Sequence, residues 1–184
     1  RQIVDKIRRK AAGRKVTIRV EGENDLFIFM DPAILREVTE SLVKNAIENT
    51  PDGGTIRVAV EQRESDILLK VTDFGIGIID ENIPYIFDGL YHTRETDLYA
   101  SKQPYEFGAG GKGLELMLLN AYAKRFGFQL TCESKRCRHI PHDKDLCLGN
   151  TDECLFCSDP KDCLSSGGTT FTVTFPVGGI NASE

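Results

Sequence analysis

The sequence predicts an α/β domain. Three observations carry that expectation: three stretches with apolar residues at three- and four-residue spacing, six short runs of β-branched and apolar residues, and turn-forming Gly, Asp and Asn between them. Residues 1–12 place Ile3, Ile7 and Ala11 on one face among basic residues, an amphipathic helix. Residues 15–21 (KVTIRVE) alternate and read as a strand, residues 22–25 as a turn, and residues 26–30 as a second strand.

The central element is the helix that follows, about five turns long. Asp31 supplies the N-cap oxygen, and Pro32 stands at the first helical position, where its missing N–H costs nothing. Ile34, Leu35, Val38, Leu42, Val43, Ala46 and Ile47 form its core-facing stripe. Asn45 and Asn49 lie one turn apart at the edge of that stripe. Helix propensity gives no reason for either. Residues 55–62 and 66–72 then form a hairpin, residues 114–125 a third helix, and residues 128–132 and 168–176 the last two strands.

The chain has 184 residues, 40% hydrophobic and 28% charged, which fits one soluble domain with a sizeable core. A net charge of -5 without an offsetting Lys/Arg cluster argues against a nucleic-acid surface. No apolar run approaches the ~20 residues of a membrane-spanning helix, so no membrane contact is expected. No signal peptide is expected, and the opening at Arg1 is read as a fragment of a longer protein.

Two motifs join the Asn pair. The run Asp73, Phe74, Gly75, Ile76, Gly77 ends the hairpin's second strand, with one carboxylate at the rim of a glycine-built wall. The run from Gly108 to Gly113 reads G-x-G-x-x-G, but it follows a long polar loop rather than the first strand of a βαβ unit, which excludes a dinucleotide fingerprint. Lys112 is followed by Gly113, which excludes a Walker A loop.

In this order the motifs resemble those of the histidine-kinase and gyrase-type ATPases. The segment K-N-A-I-E-N-T-P-x-G-G at residues 44–54 is similar to their N-box, and D-x-G-x-G to their first glycine box. Phe87 matches the packing aromatic of their F-box. Gly111, Gly113, Leu114 and Leu116 match a second glycine box, G-x-G-L-x-L, and G-T-x-F from Gly168 matches their closing strand. The resemblance implies an α/β two-layer sandwich: a mixed, largely antiparallel sheet with helices on one face, the Bergerat ATP-binding fold. It implies ATP and Mg²⁺ as cofactors, with Asn45 as the magnesium ligand. Asp73 would accept from the adenine amino group, with Thr169 nearby. Asn49, Gly75, Gly77, Gly111, Lys112, Gly113 and Leu114 would line the nucleotide site. Residues 88–113 would form an ATP lid, with Lys112 adding a phosphate contact and Glu115 standing where Gly is usual.

The activity implied is that of a sensor histidine kinase's catalytic domain. It would move the γ-phosphoryl group to a histidine on a separate helical phosphoacceptor domain, and from there to a response regulator, in the cytoplasm. None of His92, His139 or His142 has the sequence context of such an acceptor. Where relatives carry Asn or a general-base Glu one turn before Asn45, this chain has Ser41, so Glu40 and Glu37 are the candidates for activating the acceptor. A hydrolytic ATPase and a non-catalytic nucleotide- or zinc-organised binding module are the alternatives.

The family usually has a tight turn between its last two strands; here residues 134–166 are inserted. They hold Cys137, Cys147, Cys154, Cys157 and Cys163, spaced C-x9-C-x6-C-x2-C-x5-C, with Cys132 just before. A C-x2-C pair with further cysteines is a zinc pattern. The segment is too polar to fold by burial, so a metal would supply what a core cannot. A structural Zn²⁺ held by four of the five is the expectation, with Cys154 and Cys157 included. An iron–sulfur cluster, disulfides and redox-sensing thiols are the alternatives. The histidines are expected at the surface, and metal loss is expected to leave nucleotide binding intact.

Overall fold

Residues 1–23, 25–88, 105–109, 114–140 and 147–176 are described by the computed structural model. The strands are β1 (Thr17–Gly22), β2 (Thr55–Arg63), β3 (Asp66–Asp73), β4 (Gln129–Lys135) and β5 (Gly168–Pro176). They form one mixed sheet ordered β1-β2-β3-β5-β4. β1 runs parallel to β2, and the other three pairings are antiparallel. Alternation sets the two faces. Ile56 and Val58 of β2, Leu69 and Val71 of β3, and Phe171, Val173 and Phe175 of β5 are buried on one side. The other side carries polar pairs such as Arg57 with Glu21, Lys70 with Glu61 and Thr72 with Thr170.

The helices α1 (Gln2–Lys10), α2 (Pro32–Asn49) and α3 (Leu114–Phe126) cover the apolar side. Asp31 caps α2 as the sequence indicates, its Oδ1 accepting from the Ala33 N–H at 2.8 Å. Val38, Leu42, Val43 and Ile47 are fully enclosed. Burial at this level stabilises by roughly 1.5–3 kcal/mol per side chain. Phe87 packs edge-on against Phe171 with centroids 6.3 Å apart, and joins the core as its F-box match implies.

One expected strand is absent. Residues 26–30 alternate inward (Leu26, Ile28, Met30) and outward, with Phe27 81% and Phe29 95% exposed, but they enter no ladder among the described residues. The side-chain pattern of a strand is there without a partner: β2 takes the one edge of β1 that is paired.

α2 ends without a glycine cap or a basic residue in its last turn. Arg14 supplies the missing donors. Its Nη1 reaches the Ile47 carbonyl (3.0 Å) and Nη2 the Thr50 carbonyl (2.6 Å), while Nε pairs with Asp52 Oδ1 (2.8 Å). Nη1 also bonds the Tyr105 carbonyl at 2.6 Å. A buried guanidinium thus fixes the end of α2 and ties it to the chain just before α3.

Candidate functional site

Strand periodicity builds one wall of the site. Asp73, Thr169 and Ser134 occupy one row across β3, β5 and β4, all on the helix-facing side. Asp73 is 2% exposed. Its Oδ1 accepts from the Gly75 N–H at 3.0 Å and the Thr169 N–H at 3.3 Å. Burial dominates those bonds and raises its pKa to about 7. Ser134 Oγ lies 2.8 Å from Thr169 Oγ1 and accepts from the Ile78 N–H at 2.8 Å, so it fixes the path of the chain leaving β3. Ser134 was not singled out from the sequence. Its only signal there is the even spacing from Leu130 and Cys132.

The glycines of the D-x-G-x-G run admit backbone as much as any ligand. A Cβ on Gly75 would overlap the Asn49 carbonyl, and one on Gly77, at φ +64°, would overlap the Lys135 carbonyl. The close approach lets Ile76 N–H bond the Asn49 carbonyl at 3.3 Å, which joins this wall to α2. On α2, Asn49 Nδ2 donates to the Asn45 carbonyl (2.8 Å) and to Asn45 Oδ1 (3.2 Å). One lone pair of Asn45 Oδ1 is thereby used and its carboxamide is oriented. The remaining lone pair belongs to a hard neutral oxygen on a half-buried residue, which fits an ion that keeps most of its waters.

The next face of α2 meets the start of α3. Lys44 Nζ contacts Glu115 Oε1 at 2.5 Å and Glu48 Oε1 at 3.7 Å. Burial raises the Glu48 carboxyl to about 7, with Lys44 opposing. For Lys44, burial pulls the pKa down, but the bond to Glu115 and the Glu48 charge outweigh it and leave it raised. The Gly108 N–H donates to the Glu48 carbonyl at 2.6 Å, fixing residues 105–109 against α2.

Of the remaining expected residues, Leu114 opens α3 and is 40% exposed. Gly111, Lys112 and Gly113, and most of the expected lid, lie outside the described residues, as do His92 and His142. Glu37 is exposed. Glu40 faces α1, where its Oε1 is 3.5 Å from Lys6 Nζ, an ion pair rather than a hydrogen bond.

The insertion docks on this site. Cys137 N–H donates to the Ile76 carbonyl at 2.8 Å, and Ile76, Cys137 and Ile140 form a small buried cluster with Phe107 and Cys147 beside it. Asn150 bridges to Asp52, with Asp52 N–H bonded to the Gly149 carbonyl (2.7 Å) and Thr151 N–H to the Asp52 carbonyl (3.2 Å). A four-residue helix, α4 (Pro160–Cys163), is capped by Asp159. No disulfide joins the six cysteines. His139, expected at the surface, is partly covered there. Its side chain is 19% exposed, its Nε2 lies 2.9 Å from Asp162 Oδ2, and it groups with Cys157 and Asp162 so that one ligand atom of each lies within 4.8 Å of the others. The link from Asp162 to His139 spans 23 residues and could not be read locally. Cys132, by contrast, faces the main core on β4.

The described residues contain no helix long and apolar enough to cross a membrane. A family model described as "Histidine kinase-, DNA gyrase B-, and HSP90-like ATPase" matches residues 30–179. Among curated relatives, Sensor protein CreC of Escherichia coli (strain K12) is 29% identical over 120 residues, 65% of this chain and 23% of its own length. Sporulation kinase B of Bacillus subtilis (strain 168) is 32% identical over 82 residues, 44% of this chain and 19% of its own. This chain therefore spans less than a quarter of the length of either relative. Among solved structures, a mycobacterial sensor histidine kinase, MprB, superposes with a TM-score of 0.64 at 16% identity, covering 95% of this chain and 89% of that one. The catalytic domain of histidine kinase ThkA gives 0.63 at 18% identity, covering 95% and 88%. At these identities the superpositions show a common fold.

Proposed function

This chain belongs to the histidine kinase-, DNA gyrase B- and HSP90-like ATPase family, and from that premise we propose that it is the ATP-binding catalytic domain of a sensor histidine kinase. It transfers the ATP γ-phosphoryl group to a histidine on a separate helical phosphoacceptor domain, from which a response regulator takes it, in the cytoplasm. The observation that carries the reading is the pairing of two fixed groups across one wall: the Asp73 carboxylate held by Gly75 and Thr169, and the Asn45 carboxamide held by Asn49. The hydrolytic alternative is disfavoured by Ser41, which stands at the general-base position.

In this reading Asp73 accepts from the adenine amino group, and Thr169, Gly75 and Gly77 shape the base pocket. Asn45 holds Mg²⁺. When bound, that ion would supply positive charge to offset that of the phosphates. By resemblance, residues 88–113 would serve as the lid, and Gly111, Lys112, Gly113 and Leu114 would offer backbone N–H groups and a cation to the phosphates. Phosphoryl transfer depends mostly on position and charge, so the chain needs only a weak base toward the acceptor imidazole. Glu37, exposed on α2, and Glu40, one turn on and paired with Lys6, are the carboxylates available. In the insertion, four of Cys137, Cys147, Cys154, Cys157 and Cys163 hold a structural Zn²⁺.

Calorimetry of Mg-ATP binding by Asn45→Ala tests the metal ligand. Binding should be lost while the melting profile stays unchanged, and wild-type affinity would remove the assignment. Phosphotransfer from ATP to an added phosphoacceptor domain tests the reaction. ATP binding without transfer would favour the non-catalytic module.

A further inference from the structure

We propose that His139, Cys157 and Asp162 form a zinc site with one open coordination position, which pins the turn at residues 137–140 to α4. The proposal keeps the Zn²⁺ proposed for the insertion and changes its ligands: of the five thiols, only Cys157 stays. Among the described residues, this is the one group of three or more His, Cys, Asp or Glu side chains whose ligand atoms all lie within 4.8 Å of one another. Cys137, Cys147, Cys154 and Cys163 fall outside it.

The ligands come from segments that the backbone already holds together. Ile140 N–H bonds the Cys137 carbonyl at 3.3 Å and closes the turn that carries His139. The turn is fixed from two sides, by Cys137 N–H to the Ile76 carbonyl (2.8 Å) and by Arg138 N–H to the Ser166 carbonyl (3.3 Å). Asp162 rides on α4, where Asp159 Oδ1 accepts from the Lys161 N–H at 2.9 Å and Ser165 N–H bonds the Asp162 carbonyl at 3.2 Å. The Cys157 thiol lies 3.0 Å from the Asp159 carbonyl, at the start of the same helix. Groups placed before the ion arrives lose little freedom on binding it.

Distance and chemistry together select the ion. Asp162 Oδ2 lies 2.9 Å from His139 Nε2 and 4.0 Å from Cys157 Sγ. Tetrahedral zinc bonds of about 2.0–2.3 Å set neighbouring ligand atoms roughly 3.3–3.6 Å apart, so each pair needs a shift of about half an ångström. Zinc accepts nitrogen, sulfur and oxygen together, whereas magnesium and calcium take oxygen and cuprous copper favours sulfur. One thiolate and one carboxylate balance its two charges. Asp162 uses its other oxygen, Oδ1, to bind Arg138, which orients the carboxylate. Arg138 Nε is also 3.4 Å from His139 Nε2, a contact that the ion would displace. All three ligand residues are partly exposed, so water reaches the fourth position. Zinc held in this way exchanges more readily than from a closed four-thiolate site.

The test uses the whole chain, stripped with a chelator and titrated under reducing conditions with Zn²⁺ or Co²⁺. About one equivalent should bind per chain, and the cobalt form should show the sulfur-to-metal absorption of one thiolate rather than four. Zinc should remove about one reactive thiol per chain and slow proteolysis within residues 147–166. His139→Ala, Asp162→Asn and Cys157→Ser should each weaken zinc binding by more than the roughly 10–100-fold that loss of an outer partner costs. Cys154→Ser should leave it unchanged, with circular dichroism showing the sheet intact in all four variants. Zinc binding lost in Cys154→Ser or kept in His139→Ala, or the absorption of four thiolates, overturns this ligand set. Failure to bind either ion, or Cys157 found in a disulfide, overturns the metal site altogether. None of these readouts involves nucleotide, so the reading of the ATP site stands or falls separately.

Discussion

The sheet with its covering helices and the cysteine-rich insertion are neighbours held by different physics. In the first, Val38, Leu42, Val43, Ile47, Ile56 and Val173 are all fully enclosed, and apolar burial dominates. In the second, the buried side chains among the described residues are Cys137, Ile140, Thr151, Cys163 and Ser166, and the contacts include hydrogen bonds, caps and turns. A region of the first kind stands without a ligand. One of the second kind needs its neighbour or a metal to remain ordered. The two meet at Ile76, in the wall proposed for the nucleotide, and at Asp52, just past the end of α2.

The comparison is broken most severely from the core side. Leu42→Ala should cost about 2–5 kcal/mol, because the cavity it leaves is enclosed. Leu155→Ala in the insertion, where Leu155 is 77% exposed, should stay within about 0.5 kcal/mol. Urea unfolding of both variants decides this, and similar losses would mean that the insertion folds by burial after all.

Arg14→Ala should come next, at about 2–4 kcal/mol. The side chain is 10% exposed and its loss strands Asp52 together with carbonyls of α2. Since Asp52 is 30% exposed, water offsets part of the cost. This variant strikes both regions, because Asp52 also carries the insertion's Gly149 contact. Limited proteolysis should therefore cut within residues 147–166 faster than in wild type. Unchanged protection there would separate Arg14 from the insertion.

The smallest effects sharpen the pocket. An adenine-reading Asp73 should favour ATP over GTP by about 1–3 kcal/mol, the cost of leaving the carboxylate facing a carbonyl. Equal affinities would remove the role. Its pKa of about 7 also sets a pH dependence. Because folding raises this pKa, the contribution to stability is complete below the ordinary carboxylate value and is lost as pH climbs to about 7. Glu48, also raised to about 7, adds in the same direction. Nucleotide affinity runs the other way: an amino donor favours the ionised carboxylate, so binding should strengthen up to about pH 7 and level off above it. Asp73→Asn should flatten that profile in a titration series.

Much of this was legible along the chain because it depends on near neighbours. The Asp31 cap, the apolar stripe of α2, the β2–β3 hairpin and the row position of Asp73 follow from local spacing and from the alternation of strands. The Asn45–Asn49 contact needs only one helical turn. What tertiary structure alone decided spans longer separations. Arg14 meets Tyr105 across 91 residues and Asp52 across 38, and no local pattern marks an arginine for a distant helix end. Residues 26–30 show why a strand pattern is insufficient: alternation fixes which side chains turn inward, but a ladder needs a partner edge, and only the assembled sheet supplies one. The same holds for the insertion. Its cysteine spacing reveals donor chemistry, whereas its grip on Ile76 and Asp52 depends on backbone groups that every residue carries and that sequence cannot tell apart.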